Sequence, residues 1–405
     1  MQKMIVQTKR ACCLLVLLLL LLLIYGSLTV PDAIVRIEDE NAPRSIYTLT
    51  ALTAQSDSER PSIRTYDAQV SLFRVLPVKR TKLTVSERIS VVPGGSLFGL
   101  RLYTSGVIVV SMENVQTAAG TVCPAKEAGL QKGDVILTLD GTPIRDHNQF
   151  SALLADAGEQ AVRLSVRRGE AGLQMTLRPA FSETYGRYMA GLWVRDSAAG
   201  IGTMTFFLPQ SGVWAGLGHA VCDADTGEVL PLLEGDIVAA AVNGCSKGAP
   251  GRAGELQGVF RGDRIGSLIR NGADGVYGRL DAYDDSAPAV QVALPREVAA
   301  GPCEIVSTVD GSGPQRYSAV IEKVTQKDDS GRNLVLRVTD ARLLALTGGI
   351  VQGMSGSPVL QNGALVGAVT HVFVNDPKRG YAIFAHTMLE QSVLLSQEEA
   401  LRPAS

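Results

Sequence analysis

The sequence predicts a mainly β chain: an N-terminal membrane anchor followed by two folded bodies built from short strands. Three observations carry this reading. The chain of 405 residues contains 42 glycines and is 46% hydrophobic, which suits compact, turn-rich structure rather than disorder. Short alternating apolar runs bounded by Gly, Asp and Asn recur from about residue 91 onward, and sustained helical spacing is rare. A long apolar run stands at the N-terminus. The length allows two or three domains. Lys and Arg number 38 against 40 Asp and Glu, so no basic excess exists to hold phosphates, and nucleic acid is not expected as a partner.

Lys3, Lys9 and Arg10 precede an uninterrupted apolar run from Ala11 through Tyr25 that extends with few breaks to Val30. At 1.5 Å per residue, about 20 residues cover the ~30 Å hydrocarbon core. Residues 1–30 therefore read as a signal anchor or transmembrane segment, and the flanking charges predict an exported body from Pro31 onward. Gly26-Ser27-Leu28 supplies small residues but no clean A-x-A site, which favours a retained anchor over a cleaved signal peptide. Residues 31–90, polar around Glu38–Arg44 and Gln55–Ser62, read as an extracytoplasmic stalk or pro-segment with short strands, accessible to proteases. Cys12 and Cys13 open the anchor. Cys123, Cys222, Cys245 and Cys303 stand singly, without C-x-x-C or cysteine–histidine spacing, so no metal and no cofactor is expected. One or two disulfides and buried free thiols are equally compatible with export.

Residues 91–180 carry a more specific pattern. A glycine turn at Val92–Gly95 feeds a strand through Leu97-Phe98-Gly99-Leu100. Further on comes Ala128-Gly129-Leu130-Gln131-Lys132-Gly133-Asp134-Val135-Ile136-Leu137-Thr138-Leu139-Asp140-Gly141, then helical spacing over Asn148–Ala157. This set resembles a PDZ domain. The resemblance implies that the strand edge at Leu97, Phe98, Gly99 and Leu100 accepts an extended peptide and that the helix lines a side-chain groove. The expected ligand is a substrate segment or a terminal peptide of a second copy. The plainer reading is that Leu97, Phe98 and Leu100 are core.

Residues 181–400 are rich in β-branched residues and Gly-Asp turns, with strand runs such as Thr203–Leu208, Ile237–Val242 and Leu334–Val338. Helical spacing appears only near Ala341–Leu346 and Thr387–Leu395. An antiparallel β-barrel pair or sandwich is the expected architecture. Within it, Gly353-Met354-Ser355-Gly356-Ser357-Pro358 precedes two apolar runs joined by Asn362-Gly363, a hairpin signal. Glycines around Ser355 permit a tight loop that exposes a hydroxyl nucleophile beside backbone N–H groups. Ser357 stands where the G-x-S-x-G elbow requires Gly, so an α/β-hydrolase is excluded. The loop resembles the Gly-Asp-Ser-Gly-Gly-Pro loop of chymotrypsin-like serine peptidases, and by that analogy the oxyanion amides are those of Gly353 and Ser355.

Such a serine needs a base, and only four histidines exist. His147 lies in the PDZ-like region, and His386 precedes the C-terminal helix. His371 is the runner-up as base, though it shares a strand face with Val369 and Phe373, which suits packing or pocket lining. His219, after Gly216-Leu217-Gly218, alone precedes the serine in the His, Asp, Ser order of chymotrypsin-like enzymes. Asp340, ending a strand 15 residues before Ser355, is the candidate acid; its competing role is the N-cap of the helix at Ala341–Leu346. Asp223, Asp225, Asp236 and Asp263 compete on position alone.

The strings Gly216–His219, Thr339–Leu344, Thr347–Pro358 and Gly367–Pro377 together resemble the stage IV sporulation protein B family, the sporulation-signalling serine peptidases of endospore-forming bacteria. The resemblance implies a triad of His219, Asp340 and Ser355. It also implies cleavage of a membrane-tethered regulatory protein, and of the enzyme itself, to signal sigma-K activation from the space between forespore and mother cell. Asp340 departs from ordinary chymotrypsin-like enzymes in lying near the serine. The rival expectation is a non-catalytic PDZ scaffold with a peptidase-like domain.

Overall fold

The computed structural model describes residues 2–30, 33–37, 46–54, 63–86, 88–326, 328 and 330–401. The chain divides into two compact units, Met1–Ile89 and Ser90–Ser405. In the first, helix α1 (Gln2–Thr29) precedes a four-stranded sheet, ordered Ala33–Ile37, Leu76–Ser86, Ile63–Leu72, Tyr47–Ala54. The first pair is parallel and the others antiparallel. The segment expected as a stalk with short strands thus contains strands of up to 11 residues that bury Ala68, Val70, Leu72 and Leu83. The polar stretches Glu38–Arg44 and Gln55–Ser62 lie outside the described residues. Among the described residues no helix is long and apolar enough to cross a membrane. Several leucines of α1, among them Leu14, Leu17 and Leu21, are exposed.

In the second unit the alternating runs close into two six-stranded barrels. The first comprises β1 (Leu97–Met112), β2 (Leu192–Phe207), β3 (Val213–Gly216), β4 (Leu232–Ser246), β5 (Glu255–Gly272) and β6 (Gly275–Leu280). The ring runs β1-β4-β5-β6-β3-β2 and closes through β1–β2 pairing. Period-two alternation sends Phe98, Leu100, Leu102, Met204, Trp214, Ile237, Leu268 and Val276 into one core. Phe98 meets Trp214 edge-on at 5.3 Å.

The second barrel comprises β7 (Gly301–Ser307), β8 (Gln315–Val324), β9 (Leu334–Val338), β10 (Pro358–Gln361), β11 (Ala364–Val372) and β12 (Arg379–Phe384). Asn362 (φ 52°) and Gly363 (φ 80°) form the β10–β11 turn with both angles positive, as a two-residue I′ hairpin requires.

The PDZ-like body is inserted within the first barrel rather than placed before it. It lies between β1 and β2 and borrows the far end of each. Val107 and Ile108 of β1 pair with Ile136 and Val135, and Leu192 and Trp193 of β2 pair with Met112 and Ser111. Its core gathers Val107, Leu130, Ile136, Phe150, Leu154 and Leu164, under helix α2 (His147–Ala157), which Asp146 caps. Helices α3 (Ala341–Thr347) and α4 (Ala385–Ala400) match the two expected helical segments. Cys13, Cys123, Cys222, Cys245 and Cys303 are free thiols.

The expected peptide edge at Leu97, Phe98, Gly99 and Leu100 is corrected by this topology. All four residues are buried in β1. They pair with Gly200–Thr203 of β2 on one side, and Phe98–Leu100 pair with Ile237–Ala239 of β4 on the other. A strand bonded on both edges has no backbone groups left for a peptide. A side chain at Gly99 would run into the Phe260 ring, with its Cβ 2.5 Å from the nearest carbon.

Candidate functional site

Ser355 sits in a loop that the first barrel holds from below. Thr203, fully buried in β2, donates its hydroxyl to the Gly353 carbonyl (2.8 Å) and its amide to the Ser355 carbonyl (2.9 Å). Thr205, equally buried, donates to the Gly356 carbonyl (2.8 Å). Gly356 has φ +94°, and a Cβ there would collide with the Thr203 carbonyl, so this corner accepts only glycine. Ser357 donates its hydroxyl to Ser307 and is fully buried, a loop-shaping role.

Two further bonds aim the amides singled out for the oxyanion. The Gln352 carbonyl accepts from Leu256 N (2.9 Å) and the Met354 carbonyl from Ser357 N (2.9 Å). In a trans peptide the carbonyl and N–H point opposite ways, so the amides of Gly353 and Ser355 are turned away from these partners. Neither amide has an acceptor among the described residues.

His219 follows β3 through a tight turn. Gly218 N donates to Gly216 O (2.8 Å) across Leu217, which adopts φ +64°. That is a γ-turn at a buried non-glycine residue, a strained conformation of the kind that functional sites hold. The ring nitrogen Nδ1 lies 2.8 Å from the Ala220 carbonyl. A carbonyl only accepts, so Nδ1 carries the proton and Nε2 keeps its lone pair, the tautomer a general base needs. Burial outweighs that hydrogen bond and lowers the His219 pKa below the usual imidazole value.

The structure brings His219 and Ser355 to one corner of the molecule, against β11. The Ser355 hydroxyl donates to the Thr370 carbonyl (2.7 Å), and the ring of the next residue, His371, lies tilted against that of His219 with centroids 5.0 Å apart. Burial, then the neighbouring His219 and Arg332, push the His371 pKa down to about 4. Both imidazoles are therefore neutral at neutral pH. The serine hydroxyl is bonded to the Thr370 carbonyl and not to His219, so attack on a substrate requires it to rotate.

Asp340 is not brought to His219. Its carboxylate caps α3, accepting from Arg342 N (2.9 Å) and Leu343 N (3.2 Å), and it also accepts from Ser318 N (3.3 Å) and the Arg342 guanidinium. Burial alone would raise its pKa, but the bonds from Arg342, Leu343 and Ser318 hold it below the usual carboxylate value. The competing carboxylates are also engaged elsewhere or remote. Asp223 and Asp225 pair with Arg195, Asp236 pairs with Arg101, and Asp263 is exposed on β5. His386 is buried on α4 beside Glu390. Among the described residues no cluster of His, Cys, Asp or Glu could hold a metal ion.

A second site lies in the PDZ-like body. Between α2 and the start of β2 runs a groove of about 760 Å³, lined by His147, Ser151 and Leu154 on the helix and by Leu192–Asp196 on the strand. One edge of Leu192–Arg195 is bonded to β1, and the other faces the groove. At one end His147 Nδ1 meets Asp196 at 2.7 Å. The helix matches the expectation, but the strand is at Gly191-Leu192-Trp193-Val194, not Leu97–Leu100. Sequence reasoning also missed Thr203 and Thr205, whose signal was two polar residues at period two within the otherwise apolar run Ile201–Phe207.

The chain is similar to several known proteins. The HtrA-type protease AlgW, solved with a decapeptide, aligns over 74% of this chain and 65% of its own, at 12% identity and a TM-score of 0.32. The PDZ domain of an SdrC-like protein from Listeria monocytogenes aligns over 22% of this chain and 87% of its own, at 20% identity and a TM-score of 0.19. HhoA of Synechocystis sp., described as a serine protease, is 40% identical over 58 residues, 14% of this chain and 15% of its own length. A Clostridium perfringens protein described as a zinc metalloprotease is 36% identical over 69 residues, 17% of this chain and 20% of its own. The chain thus spans about a fifth or less of the length of these curated relatives. A PDZ family model matches residues 117–168, within the inserted body. The SpoIVB peptidase S55 model matches residues 186–389, half of the chain, covering β2 to β6 of the first barrel, the whole second barrel and the start of α4; the chain belongs to the SpoIVB peptidase S55 family.

Proposed function

We propose that the chain is an exported, membrane-anchored serine endopeptidase in which Ser355 is the nucleophile and His219 its base. The observation that carries this is the meeting of an Nδ1–H imidazole and a glycine-bounded serine at one corner, beside two amides without acceptors. Ser355 Oγ would leave the Thr370 carbonyl, pass its proton to His219 Nε2 and attack the scissile carbonyl. The amides of Gly353 and Ser355 would hold the oxyanion. His219 would then give the proton to the leaving amine. Family membership favours this reading over a non-catalytic scaffold.

The substrate is proposed to be a membrane-tethered regulatory protein, and the chain itself, cleaved to signal sigma-K activation during endospore formation between forespore and mother cell. Family membership and the apolar run over residues 11–30 support this. Peptide capture is assigned to the groove between α2 and Leu192–Arg195, where tethering makes weak binding sufficient. The test is labelling of the full chain with a fluorophosphonate. Ser355→Ala and His219→Ala should abolish it, and equal labelling of Ser355→Ala would falsify the nucleophile.

A further inference from the structure

His219 takes its tautomer from a backbone carbonyl, so something must hold that carbonyl. The Ala220 carbonyl and the Val221 N–H belong to one trans peptide unit and point in opposite directions. Val221 N donates to Asn271 Oδ1 at 2.8 Å. Asn271 Nδ2 in turn donates to the carbonyls of Val221 and Leu230, each at 2.9 Å. Three bonds to one carboxamide fix its orientation, because only the oxygen can face an N–H and only the nitrogen can face two carbonyls. Asn271 stands near the end of β5, paired with Val276 of β6, so it is set in the barrel wall and not in a free loop.

We propose that Asn271 is a positioning residue for the peptidase reaction, holding the Ala220–Val221 peptide unit so that the Ala220 carbonyl keeps His219 in its Nδ1–H form. The relay runs from Asn271 Oδ1 to Val221 N–H, across the peptide unit to Ala220 O, and on to His219 Nδ1–H. Hydrogen bonds in such a chain polarise one another. A carboxylate does this work in a Ser-His-Asp triad; here a neutral amide does it, with Asp340 engaged at α3. The inference rests on His219 being the base, and the experiment separates the two claims.

The full chain is labelled with a fluorophosphonate, and the imidazole nitrogens are observed by ¹⁵N NMR, with four histidines to assign. His219→Ala tests the base: wild-type labelling in that variant removes the foundation. With the base secure, Asn271→Ala should slow labelling about 10- to 100-fold and raise the Nε2–H fraction of His219. The loss is smaller than the ~10⁴-fold of a triad wrong tautomer, because the replaced partner is neutral. Wild-type labelling with an unchanged tautomer in Asn271→Ala overturns the proposal and leaves the base standing. Asn271→Asp keeps an acceptor for Val221 N–H and gives up both donors. Positioning through Val221 predicts labelling within about threefold of wild type; a purely structural clamp predicts a fall as deep as that of Asn271→Ala, which also overturns the proposal. Should neither variant fold, the wild-type tautomer decides: an Nε2–H His219 at pH 7 rejects the relay, and Nδ1–H supports it.

Discussion

Replacing Asp340 separates two roles that one carboxylate cannot hold in one conformation. In the structure Asp340 lies two residues past the end of β9 and accepts from the first free N–H groups of α3 at Arg342 and Leu343. Asparagine caps about as well as aspartate, so Asp340→Asn should change stability by a few tenths of a kcal/mol, and Asp340→Ala should cost about 1 kcal/mol. For a body of this size that is a fall of about 1–2 °C in Tm. The Arg342 contact adds little, because the guanidinium side chain is 64% exposed. The cap weakens in acid: a carboxylate with a lowered pKa contributes stability above its unfolded value that is lost as pH falls through the folded one. Fluorophosphonate labelling should be within about twofold of wild type in Asp340→Asn, since the tautomer of His219 is set elsewhere, whereas an acid of the triad would cost about 10⁴-fold. A loss beyond about a hundredfold at unchanged Tm would refute the cap and require α3 to release Asp340 toward His219.

Thr203→Val keeps the β-branched shape and removes the bond to the Gly353 carbonyl; it should cost about 1 kcal/mol and slow labelling about tenfold, measured by melting and by labelling rate. Labelling should rise with pH to a plateau whose midpoint lies below the usual imidazole value of 6.5, because burial lowers the His219 pKa. Stability should fall as pH drops from 6.5 toward about 4, since the unfolded chain binds protons that folded His219 and His371 refuse; a urea midpoint independent of pH in that window would contradict both. Ser151→Arg, on the groove face of α2, should weaken cleavage of a membrane-tethered substrate and leave labelling of Ser355 unchanged. Gly99→Leu should instead lower the melting temperature and labelling together, because its side chain enters the Phe260 ring.

The contrast between Gly99 and Ser151 shows where sequence reading stops. Local signals were legible. Asn362-Gly363 specifies its own turn, Asp340 its own helix start, and the glycines around Ser355 and before His219 their own loops. Pairing is not local. Leu97-Phe98-Gly99-Leu100 has the glycine and apolar content of a peptide-accepting edge, yet the same alternation serves a strand bonded on both sides, and nothing in four residues distinguishes the two. What decides is Gly200–Thr203, about a hundred positions later. The nesting of one body inside the other was hidden for the same reason, since β1 and β2 each begin in one core and end in the other. A reading that walks along the chain assigns each strand to a single neighbour. Asn271 shows the limit at the scale of one side chain: followed by Gly272, it reads as turn chemistry, and the turn is there. Its three bonds to Val221 and Leu230 depend on a loop some 40 to 50 residues earlier. The two residues proposed as nucleophile and base could be picked out from residue type and loop shape. Those that hold them, Thr203, Thr205 and Asn271, needed the barrel.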